Sequence, residues 1–250
     1  MCHFIKNHDL IALFLRDEYD LAIKNEKEYQ DISSHTINSI ELIKTSIVGQ
    51  LDVKADAFLL CYAAIYKHLV LALLSTLRLQ STQANFNIRQ VLETAACAAY
   101  SLENPQCFDQ SKKKNVDFKN DKTLSKAYQW LKTNKPYFSS YLESSKKDIN
   151  VFYAHAGIFT ATISLRDYLG NIAFTDEEDT NTIPITLWQL SDITVALIET
   201  FYTINQSCKL LRFHDDFEIR LKQFNKLHGQ LTEKYKKTLH ENQSDSYFPP

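Results

Sequence analysis

Between Gly49 and Pro105 the chain runs 55 residues with neither glycine nor proline. Such a stretch carries no helix breaker and no residue suited to tight reversal, so it favours long helices over strands joined by turns. The rest of the chain agrees. It holds four Gly and five Pro in 250 residues, two of the Pro at its very end, too few to punctuate a turn-rich all-β fold. A hydrophobic fraction of 44% is enough for a packed core and argues against a disordered chain.

Late in the same stretch lies a polar stripe, Asn85, Arg89 and Glu93, each four residues after the last. Helical geometry puts the three on one face, flanked by Ala95, Ala96, Ala98 and Ala99. A guanidinium and a carboxylate one turn apart amid small side chains are either a structural ion pair or the floor of a site. Earlier, Ala57 to Leu77 (AFLLCYAAIYKHLVLALLSTL) is long enough to span a bilayer. Lys67 and His68 sit at its midpoint, where a Lys costs about 2.5–3.5 kcal/mol on insertion scales. A core helix is therefore expected rather than a membrane span.

An unbroken helix over the whole stretch would run to about 70 Å. Gln80-Ser81-Thr82-Gln83 is the plausible break, which predicts an antiparallel hairpin of two helices, from near Lys54 to Leu79 and on to Asn104. Folding back near Ser81 would bring Glu93 to the level of His68 and Leu69. Elsewhere, periodicity predicts helices over His8–Gln30, over a segment carrying Ile37, Ile40, Ile43 and Ile47 with Ser33, Ser34 and Thr36 as candidate N-caps, around Leu124–Leu131, and over Tyr137–Ser145. Gly157 reads as a helix C-cap with His155 in the final turn. Ile163 to Phe174 alternates around Gly170-Asn171, which predicts one small β-hairpin near residues 161–175. Leu187–Leu211 and Phe213–Glu241 complete the helices. The last carries His214, Phe217, Leu221, Phe224, His228, Leu231 and Tyr235 at heptad spacing. The expected fold is a mostly α multi-helix bundle with that hairpin inserted. It is read as a single domain over 1–250, with its core at about 8–241 and a flexible tail at 242–250.

Charge and motifs exclude several chemistries. Lys plus Arg is 28 against 30 for Asp plus Glu, a net charge of -2 that supplies no global field for nucleic acid. The sequence contains no Gly-rich phosphate loop, no nucleophile elbow, no zinc-finger spacing and no Glu-x-x-His. No metal and no cofactor is therefore expected. The five Cys are widely spaced without a Cys-x-x-Cys pair, and Cys61, Cys97 and Cys208 read as small buried hydrophobes. A reducing, cytoplasmic setting is expected, and the first twenty residues lack the small-residue cleavage site of a signal peptide.

Arg89 and Glu93 on a mid-chain helix, followed some sixty residues later by Phe152-Tyr-Ala-His155, resemble a pattern of uncharacterised helical bacterial families loosely grouped with HEPN-like proteins. The resemblance covers roughly Ala57 to Phe159. It implies an all-helical fold and, in the ribonuclease members, cleavage of RNA by an Arg followed four to six residues later by a His. No Arg here has that spacing; Arg220 and His228, seven residues between them, come nearest. The leading expectation is thus a binding or regulatory protein with a polar pocket formed by Arg89, Glu93, His155, His68 and Asn85. In it, Arg89 would hold an anionic group, Glu93 would orient it or act as a base, and His155 would transfer a proton. The rival is an RNA-acting HEPN-like enzyme of toxin or defence type. A bundle-locking ion pair is the alternative reading of Arg89 and Glu93. Expected partners are a second copy joined through the C-terminal helices and a small anionic ligand or RNA, with no membrane.

Overall fold

A computed structural model describes residues 7–108, 122–152 and 182–245. Among them the fold is a mostly α bundle of eight helices with one small two-stranded sheet. In chain order these are α1 (Asn7–Glu28), α2 (Gln30–Ser46), β1 (Ile47–Gln50), α3 (Asp56–Leu77), α4 (Ser81–Glu103), α5 (Thr123–Asn134), α6 (Pro136–Phe152), α7 (Thr182–Cys208), β2 (Leu211–Phe213) and α8 (Phe217–Asp245). Short 3-10 turns at Val53–Ala55 and Pro105–Phe108 precede α3 and follow α4.

The long stretch without Gly or Pro folds as the expected hairpin, and α3 against α4 is the most extensive helix pair in the fold. Its reversal takes only Arg78–Gln80, one residue shorter and slightly earlier than the composition suggested. Leu79 makes it by adopting a left-handed backbone, φ 59°, and the Gln80 amide closes the turn on the Ser75 carbonyl at 2.9 Å. Asn25 of α1 caps the exposed end of α3, its Nδ2 donating to the Leu77 carbonyl at 2.8 Å. α4 is the axial helix, touching α3, α5, α6 and α7. Ala84, Ala95, Ala96, Ala98 and Ala99 are all fully buried on it, and their small side chains let four neighbours approach one backbone.

The core is continuous from Ile32 to Leu231. Phe58, Tyr62 and Phe201 pin α3 to α7, with ring centroids 5.2–6.0 Å apart and the Tyr62 hydroxyl donating to the Ile43 carbonyl at 2.6 Å. Each such aromatic pair adds about 0.5–1.5 kcal/mol beyond its buried area. α3 has two characters, however. Phe58, Tyr62, Ile65, Leu69, Ala72 and Leu73 are buried, yet only 33% of its apolar window lies inside the fold. The expected core helix is a core helix along one side alone.

Several sequence expectations need correction. β1 and β2 pair antiparallel, Ile47 with Phe213 and Gln50 with Leu211, with a bulge between Ile47 and Gly49. Both were read as helix ends, because strands of three and four residues leave no alternation to detect. The hairpin expected near 161–175 and the cap at Gly157 lie outside the described residues. Ser33, Ser34 and Thr36 are not N-caps: α2 begins at Gln30, and Ser33 and Thr36 are buried mid-helix. The Thr36 hydroxyl lies 2.8 Å from the carbonyls of both Ile32 and Leu187, joining α2 to α7. Cys61, Cys97 and Cys208 are half-buried against the core rather than fully inside it.

Candidate functional site

The polar stripe of α4 faces the groove between α5 and α6. Arg89 Nε donates to Glu93 Oε1 at 3.1 Å, as the four-residue spacing requires. A second cation completes the group: Lys146 of α6 reaches the same oxygen at 2.9 Å. All three side chains are one-fifth to one-quarter exposed, so the cluster sits at the rim of the core with its tips reachable by solvent. Burial alone would raise the Glu93 carboxyl. Hydrogen bonds and charge from Lys146 and Arg89 outweigh that and hold it below its ordinary value. Lys146 also lies over the Tyr128 ring of α5, 4.9 Å from its centroid. The Tyr128 hydroxyl is buried with no hydrogen-bond partner among the described residues. Burial first, and then the neighbouring Glu93, keep it protonated. Two helices therefore bring a guanidinium and an ammonium to a single carboxylate, and a third lays the Tyr128 ring beneath the ammonium.

Of the other expected site residues, Asn85 is buried and bonds its own helix, Nδ2 to the Ser81 carbonyl at 2.9 Å. His68 is not level with Glu93. Its Nδ1 lies 2.9 Å from Asn87 Oδ1, six residues or about 9 Å along α4 from Glu93. Asn87 stands two positions before Arg89, about 200° around the helix, which turns it to a different face of α4. The position of the reversal is the cause: it falls at Arg78–Gln80, earlier than the expected break at Gln80–Gln83, so each α4 residue faces an earlier residue of α3. His155 lies outside the described residues.

A second polar cluster escaped the sequence reading. Tyr141 of α6 donates to Asp192 Oδ2 of α7 at 2.7 Å. Asp192 Oδ1 lies 3.3 Å from His228 Nε2 of α8, and His228 Nδ1 lies 3.1 Å from His35 Nε2 of α2. With His228 donating to the carboxylate, its Nδ1 accepts and His35 donates, which leaves His35 Nδ1 as an unpaired buried acceptor. That tautomer follows from the network rather than from visible hydrogens. Burial, and then His228, lower the His35 pKa to about 4, so the ring is neutral at physiological pH. It stacks on Phe224 at 4.2 Å. His228 is half-buried, with both ring nitrogens engaged by Asp192 and His35.

Ser191, His228 and Asp192 form a Ser–His–Asp set in name only. Ser191 is fully buried and its hydroxyl donates to the Trp188 carbonyl at 2.8 Å, with His228 Nδ1 a distant 3.5 Å away. A serine nucleophile needs an exposed hydroxyl bonded to its base. Of the heptad residues, Phe217 and Leu231 are buried and His228 stacks 6.0 Å from Trp188, whereas His214 precedes α8 and is exposed beside Asp216; Tyr235 lies outside the described side chains. Among the described residues no group of three His, Cys, Asp or Glu is placed to hold a metal. A recess between α4 and α7, lined by Thr76, Leu79, Ser81, Ile183 and Thr186, has room for about one water, ≈ 10 Å³.

Compared with known proteins, the chain matches no family model, no curated protein and no solved structure.

Proposed function

We propose that this is a helical binding protein whose ligand position is the Arg89–Glu93–Lys146 cluster, and that the ligand presents a small anionic group. The observation that carries this reading is that two cations share one carboxylate oxygen, beside a tyrosine hydroxyl with no hydrogen-bond partner among the described residues. A structural ion pair needs one cation. The second cation supplies what a phosphate or carboxylate takes up. The thiols of Cys61 and Cys208 fit a reducing, cytoplasmic setting.

The RNA-acting reading lacks a comparable observation. Arg220 donates to Thr45 Oγ1 at 2.6 Å and neighbours Asp216, while His228 is engaged by Asp192 and His35. The two lie eight residues apart on α8, about 12 Å along its axis.

A thermal-shift series separates the readings. Phosphate, sulfate, a dicarboxylate and a mononucleotide are added to the full chain and to Lys146→Met, with single-stranded RNA incubated in parallel. The binding reading expects at least one small anion to raise the melting temperature of the parent and not of the variant. Degradation of RNA with no such shift would replace it with the enzyme reading.

A further inference from the structure

We propose that the outward face of α3 docks a second copy of this chain, the two α3 helices packing antiparallel across a twofold axis between residues 61 and 62. Asp56, Leu60, Ala63, Lys67 and Leu71 recur at spacings of four, three, four and four, and all five are exposed. Leu60 is 67% and Leu71 38% exposed. These positions share one face of the helix. The apolar stretch of α3 has a mean hydropathy of 1.9 with one-third of it buried; Leu59, Cys61, Tyr66 and Val70 pack part-buried against the core, while Leu60 and Leu71 stay exposed on one face, the kind of apolar surface that marks an interaction site.

Charge identifies the occupant. Asp56 and Lys67 stand eleven residues apart, three turns or about 16 Å along the same face, and neither has an ion-pair partner among the described residues. A helix laid antiparallel about that axis sets Asp56 of each copy opposite Lys67 of the other. Leu60 then faces Ala63, a large side chain over a small one, in the middle of the contact. Leu71 reaches the level of the opposite copy's 3-10 turn, where Val53 is 73% exposed. Such self-complementarity is what an isologous interface demands. Parallel packing would instead place Lys67 on Lys67 and Asp56 on Asp56. A lipid surface gains nothing from Asp56 and has no flanking basic cluster here to attract it. The C-terminal helix α8 is a poorer seam, because Phe224 and His228 of its stripe are already seated on α2 and α7.

Sedimentation equilibrium of the full chain over a wide concentration range tests this, with circular dichroism as the folding control. The parent is expected to dimerise. Leu60→Glu, Lys67→Glu and Asp56→Lys should each weaken the dimer about tenfold or more. The doubly reversed Asp56→Lys/Lys67→Glu should recover most of the parent affinity. Asp56 also suits the first turn of its own helix, so the recovery in the double variant carries the test. A monomeric parent at every concentration, a dimer indifferent to Lys67→Glu, or a double variant no better than the singles would overturn the proposal. So would co-sedimentation of the parent with phosphatidylcholine–phosphatidylserine vesicles that Leu60→Glu abolishes, which would assign the face to lipid.

Discussion

Lys146 Nζ lies 2.9 Å from Glu93 Oε1, closer than Arg89 of Glu93's own helix at 3.1 Å. The stripe on α4 is therefore not a self-contained intrahelical pair but one side of an interhelical contact. It fixes the register of α6 against α4 and concentrates positive charge at one rim of the bundle. Glu93 is the group on which both cations depend.

Replacing Glu93 with Gln leaves two partly buried cations without their counter-charge. We predict a loss of about 1–2 kcal/mol at neutral pH, below the 3–5 kcal/mol of a fully buried pair because solvent screens these tips. The sign with pH follows from the lowered carboxyl. Its stabilisation is complete above the ordinary value of 4.5 and fades as pH falls through the depressed folded value. Urea midpoints of parent and variant should accordingly converge in acid.

His35 predicts a second acid sensitivity, in a higher window. Its folded pKa of about 4 lies below the ordinary 6.5, so the unfolded chain takes up a proton first as pH falls. Stability is full above about 6.5 and declines towards 4, by about 3 kcal/mol at most. His35→Gln should flatten the dependence of unfolding free energy on pH between those limits. An unchanged slope in the variant would mean that His35 does not titrate this way.

Asn205 closes the link between α7 and β2 with two bonds, Nδ2 to the Leu211 carbonyl and the Leu211 amide to Oδ1, each 2.9 Å. The side chain imitates a strand partner for a residue that would otherwise bury both backbone groups unpaired. Asn205→Ala should cost about 2–4 kcal/mol, and hydrogen exchange at the Leu211 amide should quicken more than at other core amides.

Lys209, directly after α7, holds φ 51° while its amide bonds the Asn205 carbonyl at 2.8 Å. This left-handed position is where glycine relieves the clash of Cβ. Because the side chain is exposed, Lys209→Gly should raise stability by about 0.5–1 kcal/mol, seen as a higher thermal midpoint.

The helices were legible because burial imposes a 3.6-residue period over many residues. The hairpin of α3 and α4, and the inward stripe of α8, follow from that alone. β1 and β2 were not, since their pairing joins segments some 160 residues apart and each is too short for a pattern. Half of the site was legible: Arg89 and Glu93 declared themselves by spacing. Lys146 did not, because α6 reads from its periodicity as ending near Ser145, one residue short, and runs on to Phe152. His68 was placed against the wrong turn of α4, since helical periodicity does not reveal the position of a reversal. The relay from Tyr141 to His35 draws on four helices, and no local pattern carries an arrangement that exists only after packing.

The most direct measurement is an isothermal titration of the full chain with inorganic phosphate and with a dicarboxylate, repeated on Arg89→Met and Lys146→Met. Saturable one-to-one binding of at least one of these anions, weakened tenfold or more in both folded variants, is the predicted result. No binding of either anion, or binding that both variants retain, would contradict the assignment of the Arg89–Glu93–Lys146 cluster as a ligand site.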